Sequence, residues 1–164
     1  MVVKKHILNN IKRLDSLYNS SPTVEATYYS KLAIIELCGW IELSMDNIVE
    51  HFANKKLKTQ PFKDSFKSLK DKNYGFDYKQ NFRKMLSQTA GLHNTEKVET
   101  KLNITGQIAI LDATLDGLKI LRNDAAHTYI DATKTYQAPS VTKSQLEKIY
   151  PILKDFSKEV KKLK

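Results

Sequence analysis

The sequence is poor in cysteine, glycine and proline, with one, five and four of them in 164 residues. Cys38 alone cannot close an intrachain disulfide, and a single thiol fits a reducing compartment. It falls on an apolar helical face, as a small core residue does. Glycine and proline are too sparse for the turns of a β-sandwich or for a disordered chain. Long hydrophobic runs are also lacking. The stretch Leu32 to Ile41 is broken by charge, so no segment is expected to span or enter a membrane. The opening Met-Val-Val-Lys-Lys-His has neither the apolar core nor the cleavage site of a secretion signal, which points to the cytoplasm.

What is present is basic charge, unevenly placed. The net charge is +9. Residues 1–54 carry −1, residues 55–84 carry +7, residues 85–142 carry −1 and residues 143–164 carry +4. The excess therefore lies in two segments. Such segments suit a polyanion, because Lys and Arg contacts to phosphate supply most sequence-independent nucleic-acid affinity. Lys55, Lys56, Lys58, Lys67 and Lys70 are the candidate RNA-binding residues. A solubilising, hydrated surface is the alternative role for the same lysines.

The apolar spacing predicts an all-α protein, a single domain over residues 1–164 folded as one helical bundle. Ile7, Ile11, Leu14 and Tyr18 mark a first helix over about 3–18. Ser21 as N-cap with Pro22 at the first helical position opens a long second helix to about Lys56. Its stripe is Ile34, Cys38, Ile41, Met45, Ile48 and Phe52, widened by Leu37 and Trp40. Glu42, Asp46 and Glu50 form an acidic row on its other side, read as solvated. Pro61 opens a short helix expected to bury Phe62, Phe66 and Leu69. After Asn73-Tyr74-Gly75 a further helix runs over 77–90 to Gly91, with His93 in the loop that follows. A fourth major helix covers about 104–126, with Ile104, Ile108, Leu111, Leu115 and Leu118 in its stripe. Thr142 and Gln145 read as the capping box of the last helix, which Pro151 should kink or split.

Chemistry concentrates at the end of the fourth major helix. Arg122 occupies the register where its stripe calls for another leucine. Arginine keeps its charge, so burial there requires a carboxylate, several carbonyls or a phosphate. Carboxylates available for that role are Glu36, Glu42 and Asp46. Asn123 and His127 are four apart and share a face, whereas Arg122 and His127, five apart, lie roughly 140° apart on an ideal helix. They converge on one ligand only where the helix loosens near His127 or where a second copy supplies the other half. His127 as a plain C-terminal helix cap is the alternative. Ala125 and Ala126 leave room for close approach. No glycine-rich phosphate loop, Cys/His metal pattern or Ser-His-Asp arrangement competes, and no cofactor is called for.

Arg122-Asn123-x-x-x-His127 resembles the R-x4-H signature of the HEPN superfamily, including the polar residue directly after the arginine. Its place near the end of the penultimate long helix of a basic all-α chain fits that resemblance. Glu36, Trp40 and Glu42 on the long helix, and Ala138-Pro139-Ser140 before the last one, are similar to the RiboL-PSP-type HEPN group. Tyr129 extends the likeness to the R-x4-H-x-Y form of HEPN toxins paired with nucleotidyltransferase antitoxins. The resemblance covers most of the chain, and the Arg–His motif is its specific part.

The resemblance implies an up-and-down bundle of four to five main helices that forms a homodimer, in which two Arg–His motifs face each other across a cleft. It also implies a metal-independent endoribonuclease acting as a toxin or in defence against phage, with a cognate antitoxin or a defence-complex subunit as partner. RNA carries its own nucleophile, the 2′-OH. His127 would act as general base on that hydroxyl or as acid on the leaving oxygen. Arg122 would fork onto the phosphate, and Asn123 would orient the imidazole or contact the phosphate. Asp124 and Thr128 are secondary candidates. Tyr129 is either a site of modification by an antitoxin or a core or interface tyrosine. Some HEPN domains are non-catalytic binding modules, which is the alternative function.

Overall fold

The computed structural model describes residues 2–131 and 133–163, and all regular structure among them is helical. Seven α-helices follow in order: α1 (Lys5–Ser20), α2 (Thr23–Lys56), α3 (Gln60–Asp71), α4 (Lys84–Ala90), α5 (Leu92–Asn103), α6 (Gln107–His127) and α7 (Pro139–Lys161). A π-helical segment, Tyr78–Arg83, leads directly into α4. The four long helices α1, α2, α6 and α7 form the bundle, and α2 is its axis. Ile34, Leu37, Ile41 and Val49 of α2 are fully buried. Ile11 of α1, Leu111, Leu115 and Leu118 of α6, and Leu146, Ile149, Leu153 and Phe156 of α7 meet them in one apolar cluster. These are the helical-spacing residues of each stripe, so burial of one face per helix drives the assembly.

Several local expectations are corrected. Pro22 itself occupies the N-cap of α2, and no side chain caps that end. The last helix begins at Pro139 with Ala138 at its N-cap, so Thr142 and Gln145 lie inside it. The Gln137 amide instead donates to both, at 3.1 Å to Thr142 Oγ1 and 2.7 Å to Gln145 Oε1. Pro151 neither ends nor splits α7, because its ring faces solvent on an exposed flank while Ile152 and Leu153 hold the helix to the core. Phe62 is exposed, and Phe66 alone of α3 is buried. Ile104 is 82% exposed in the turn before α6, which starts at Gln107. His93 lies in the first turn of α5, a helix whose weak apolar spacing (Thr95, Val98, Leu102) concealed it. Lys164, which ends the second basic segment, lies outside the described residues. No helix among the described residues is long and apolar enough to cross a membrane.

The segment that departs most from regular geometry is the one that reaches α6. Asp77 Oδ1 accepts from Gln80 N at 2.8 Å, and Phe82 N reaches back five residues to Asp77 O, which opens the π turn. Gly75 at φ 107 reverses the chain just before it, where a side chain would also press on Asn81. Asn81 then ties the turn down, donating to Tyr74 O and accepting from Asp77 N. Lys119 of α6 binds Asp77 at 3.1 Å. The turn is thereby strapped between α2 and α6.

Candidate active site at the end of α6

Arg122 follows Leu118 by one helical turn and is half-buried, as its register requires. Among the described residues no carboxylate lies within 4.0 Å of it. The three carboxylates weighed for that role are engaged elsewhere. Glu36 accepts from Asn10, Glu42 accepts from the Gly75 backbone N–H at 2.6 Å, and Asp46 lies beside Glu50, Lys70 and Asn73. The guanidinium instead rests over the Phe76 ring, 5.9 Å from its centroid, and Nη1 donates to Asn123 Oδ1 at 3.1 Å. An aromatic face attracts a cation without neutralising it, so the charge of Arg122 stays available to an anion.

The surroundings carry the mark of that charge. Cys38 is 2% exposed, with Sγ 3.9 Å from Leu118 O, and its pKa is pushed up to about 12. Burial is the main cause, Arg122 opposes it and Glu42 adds to it. The thiol is therefore a protonated core group. The acidic row is half-buried, with Glu42 under the Asn73–Asp77 strap and Glu50 against Lys70 of α3, contrary to the solvated reading. Burial first, then Glu42, raises Asp46 to about 6, and Lys70 opposes this. Apolar periodicity on α2 could not reveal that a distant turn folds over this row. Among the described residues no group of three or more His, Cys, Asp or Glu converges as a metal site would.

His127 is the last residue of α6, exposed, and its imidazole makes no hydrogen bond to a described residue. The backbone on which it sits is pinned. Lys31 of α2 donates to Thr128 O at 2.7 Å, and Asp124 accepts from Thr128 Oγ1 and Lys134 Nζ. Bonds to Lys134 and Thr128 hold the Asp124 carboxyl below its ordinary value. α6 keeps regular α-helical form through His127. Arg122 and His127 of one chain thus remain roughly 140° apart and do not converge. Asn123 is exposed between them and is joined to Arg122. Tyr129 is 79% exposed and is a surface tyrosine, not the core residue that was one of its expected roles.

Two features of this end escaped the sequence reading. Phe76, 3% exposed, is the platform beneath Arg122. The other is a second apolar stripe on α2: Val24, Tyr28, Leu32, Ile35 and Leu43 are all exposed. At 100° per residue they fall within an arc of about 100°, beside the edge on which Lys31 and Cys38 meet α6. Gly39 adds open space within that arc. The spacing was visible in the sequence, but only burial separates it from the core stripe.

The candidate lysines lie apart from this centre. Lys55, Lys58 and Lys67 are exposed and Lys56 is partly so, whereas Lys70 is bound to Glu50 at 2.9 Å. Seventeen residues of α2 separate Lys55 from Cys38, about 25 Å along the helix.

No curated protein and no solved structure matches the chain. The sequence model of the family described as RiboL-PSP-HEPN matches residues 4–163. With an all-α bundle and an Arg–Asn–x3–His motif closing its penultimate long helix, the chain belongs to the RiboL-PSP-HEPN family, within a superfamily of ribonucleases and nucleic-acid-binding modules.

Proposed function

We propose that the protein is a cytoplasmic, metal-independent endoribonuclease whose site is divided between two copies. The observation that carries this reading is an arginine in a core register, held on an aromatic ring with its charge unspent, five residues before an unengaged histidine. A phosphodiester supplies the missing counter-charge. The fork of Arg122 would bind it and stabilise charge developing in the transition state. His127 of the second copy would take the proton of the 2′-OH or protonate the leaving 5′-oxygen, leaving a 2′,3′-cyclic phosphate and a 5′-hydroxyl. Asn123 would stand at the phosphate.

Pairing of copies is supported by the exposed stripe of α2 beside Arg122, since a row of five large apolar side chains is more than scattered surface residues require. A role as a toxin or in phage defence, with an antitoxin as partner and Tyr129 as a target of modification, belongs to the same proposal. The non-catalytic binding module is the second reading.

The test is RNA cleavage in excess EDTA, with a substrate bearing 2′-deoxy at the scissile position as control. Arg122→Ala and His127→Ala should each lower the rate by about a hundredfold or more, in variants shown to fold. Ile35→Glu should yield monomer and lose cleavage, and an equal mixture of the Arg122→Ala and His127→Ala chains should recover part of it. A folded His127→Ala protein cutting at the wild-type rate would overturn the reading. A wild-type dimer that cuts nothing would establish the binding module in its place.

A further inference from the structure

A groove of about 640 Å³ runs between the chain start with α1 and the C-terminal half of α7. Lys4 and Lys5 stand on one wall and Lys154, Lys158 and Lys161 on the other, and no carboxylate is among the lining residues. The three lysines of α7 fall at i, i+4 and i+7, on one face and spanning about 10 Å of helix. Tyr150 brings the walls together: Lys4 Nζ lies 4.7 Å and Lys154 Nζ 5.9 Å from its ring centroid. Only Lys158 has a carboxylate partner among the described residues, Asp155 at 2.8 Å. The other Asp155 oxygen accepts from Gln107 at the start of α6, and neither residue lines the groove.

The other large groove, between α5 and α7, makes the contrast. Its Lys101 and Lys162 are both bound to Glu159, and Glu96 lines it beside Lys97, so most of its charge is balanced internally. His51 is held below its ordinary pKa, by burial first and then by Lys161 and Lys55. Five ammonium groups in one groove repel each other, and a chain of phosphates relieves that repulsion.

We propose that the α1–α7 groove is a second nucleic-acid site, which holds the sugar–phosphate backbone of single-stranded RNA away from the Arg122 end. Basic walls along a narrow groove track a strand without reading its bases, and Val3 and Tyr150 offer apolar and aromatic surface to the sugars and bases. The groove lies on the far side of α2 from Arg122. Trp40 Nε1 donates to Val3 O at its rim, while Cys38, beside Arg122, is two residues away and about 200° around the helix. The groove rests on the ribonuclease reading only for the choice of RNA as the strand.

The experiment uses the full chain carrying His127→Ala, so that RNA survives, and a labelled single strand of about 12 nucleotides. Fluorescence anisotropy is compared for two triple variants that remove equal charge. One is Lys154→Gln/Lys158→Gln/Lys161→Gln in this groove. The other is Lys97→Gln/Lys101→Gln/Lys162→Gln in the α5–α7 groove. The first should weaken binding about tenfold or more and flatten the dependence of log K on log salt by about 2 to 3, whereas the second should change affinity less than threefold. Equal losses in both would overturn the proposal, as would unchanged RNA affinity in the first variant with lost binding of polyglutamate, which would mark a surface for an acidic protein. Cleavage by the wild-type chain is read alongside. Groove-dependent binding without cleavage refutes the ribonuclease reading and leaves the groove standing. Cleavage with equal losses in both triples does the reverse.

Discussion

Replacing Asp46 by asparagine should stabilise the fold at pH 8 and leave it unchanged at pH 4. Asp46 is half-buried, with Glu42 and Glu50 above and below it on α2, and its pKa stands at about 6 against an ordinary 3.8. A raised carboxyl pKa means that the folded state resists the charge. Between about 4 and 6 the folded chain binds more protons at this position than the unfolded one, so stability falls as pH rises through that window and levels off above it. Each pKa unit corresponds to ~1.36 kcal/mol, which sets a ceiling of about 3 kcal/mol on the penalty at neutral pH. The asparagine side chain would keep the shape and lose the charge, while Lys70 retains Glu50. Allowing for solvent at the edge of the row, a gain of about 1–2 kcal/mol at pH 8 is expected. Urea denaturation of both proteins at pH 4, 6 and 8 reads it as a higher midpoint at unchanged slope. The difference between the two isolates Asp46 from Asp77, Asp124, Asp131, Asp155 and Glu159, whose lowered pKa values remove stability only as pH falls below the ordinary carboxylate range. A variant less stable than wild type at pH 8, or one with the same dependence on pH, would refute the assignment of strain to this row.

Phe76→Leu should cut RNA about fivefold more slowly, with KM less affected, because about 1 kcal/mol of cation–π support for Arg122 is lost; Phe76→Tyr should stay near wild type, and equal kinetics in all three would deny the ring a role. Tyr78→Phe should cost about 1.5–3 kcal/mol, since the hydroxyl donates at 2.5 Å to a Glu99 carboxylate that also binds Arg83. A midpoint in urea unchanged from wild type would contradict that.

The stripes of α1, α2, α6 and α7 were readable because each buries a face with regular 3.6-residue spacing, and the core register of Arg122 followed from the same regularity. α5 was not readable, as it buries two threonine-sized or aliphatic contacts per turn at most and opens at Gly91 without a capping side chain. Helix starts were misplaced where backbone and proline geometry replaced side-chain caps, at Pro22 and Ala138. The platform under Arg122 was out of reach for a different reason. Phe76 is 46 residues away in the chain and is delivered by a glycine reversal and a π turn that leave no apolar period. Residue types identified the charged motif, and only tertiary geometry identified what holds it.

The regular pitch of α6 up to its final residue bears on dosage. With the motif split as proposed, an isolated chain is inert, and at low abundance the cutting species grows with the square of the number of chains. For a toxin, the role proposed above, leaky expression would then be harmless, and damage would begin at a threshold set by the dissociation constant of the pair. Silencing also needs no blockade of the chemistry. A protein that simply covers Tyr28, Leu32 and Ile35 withholds the second copy and leaves Arg122 and His127 untouched, poised for release.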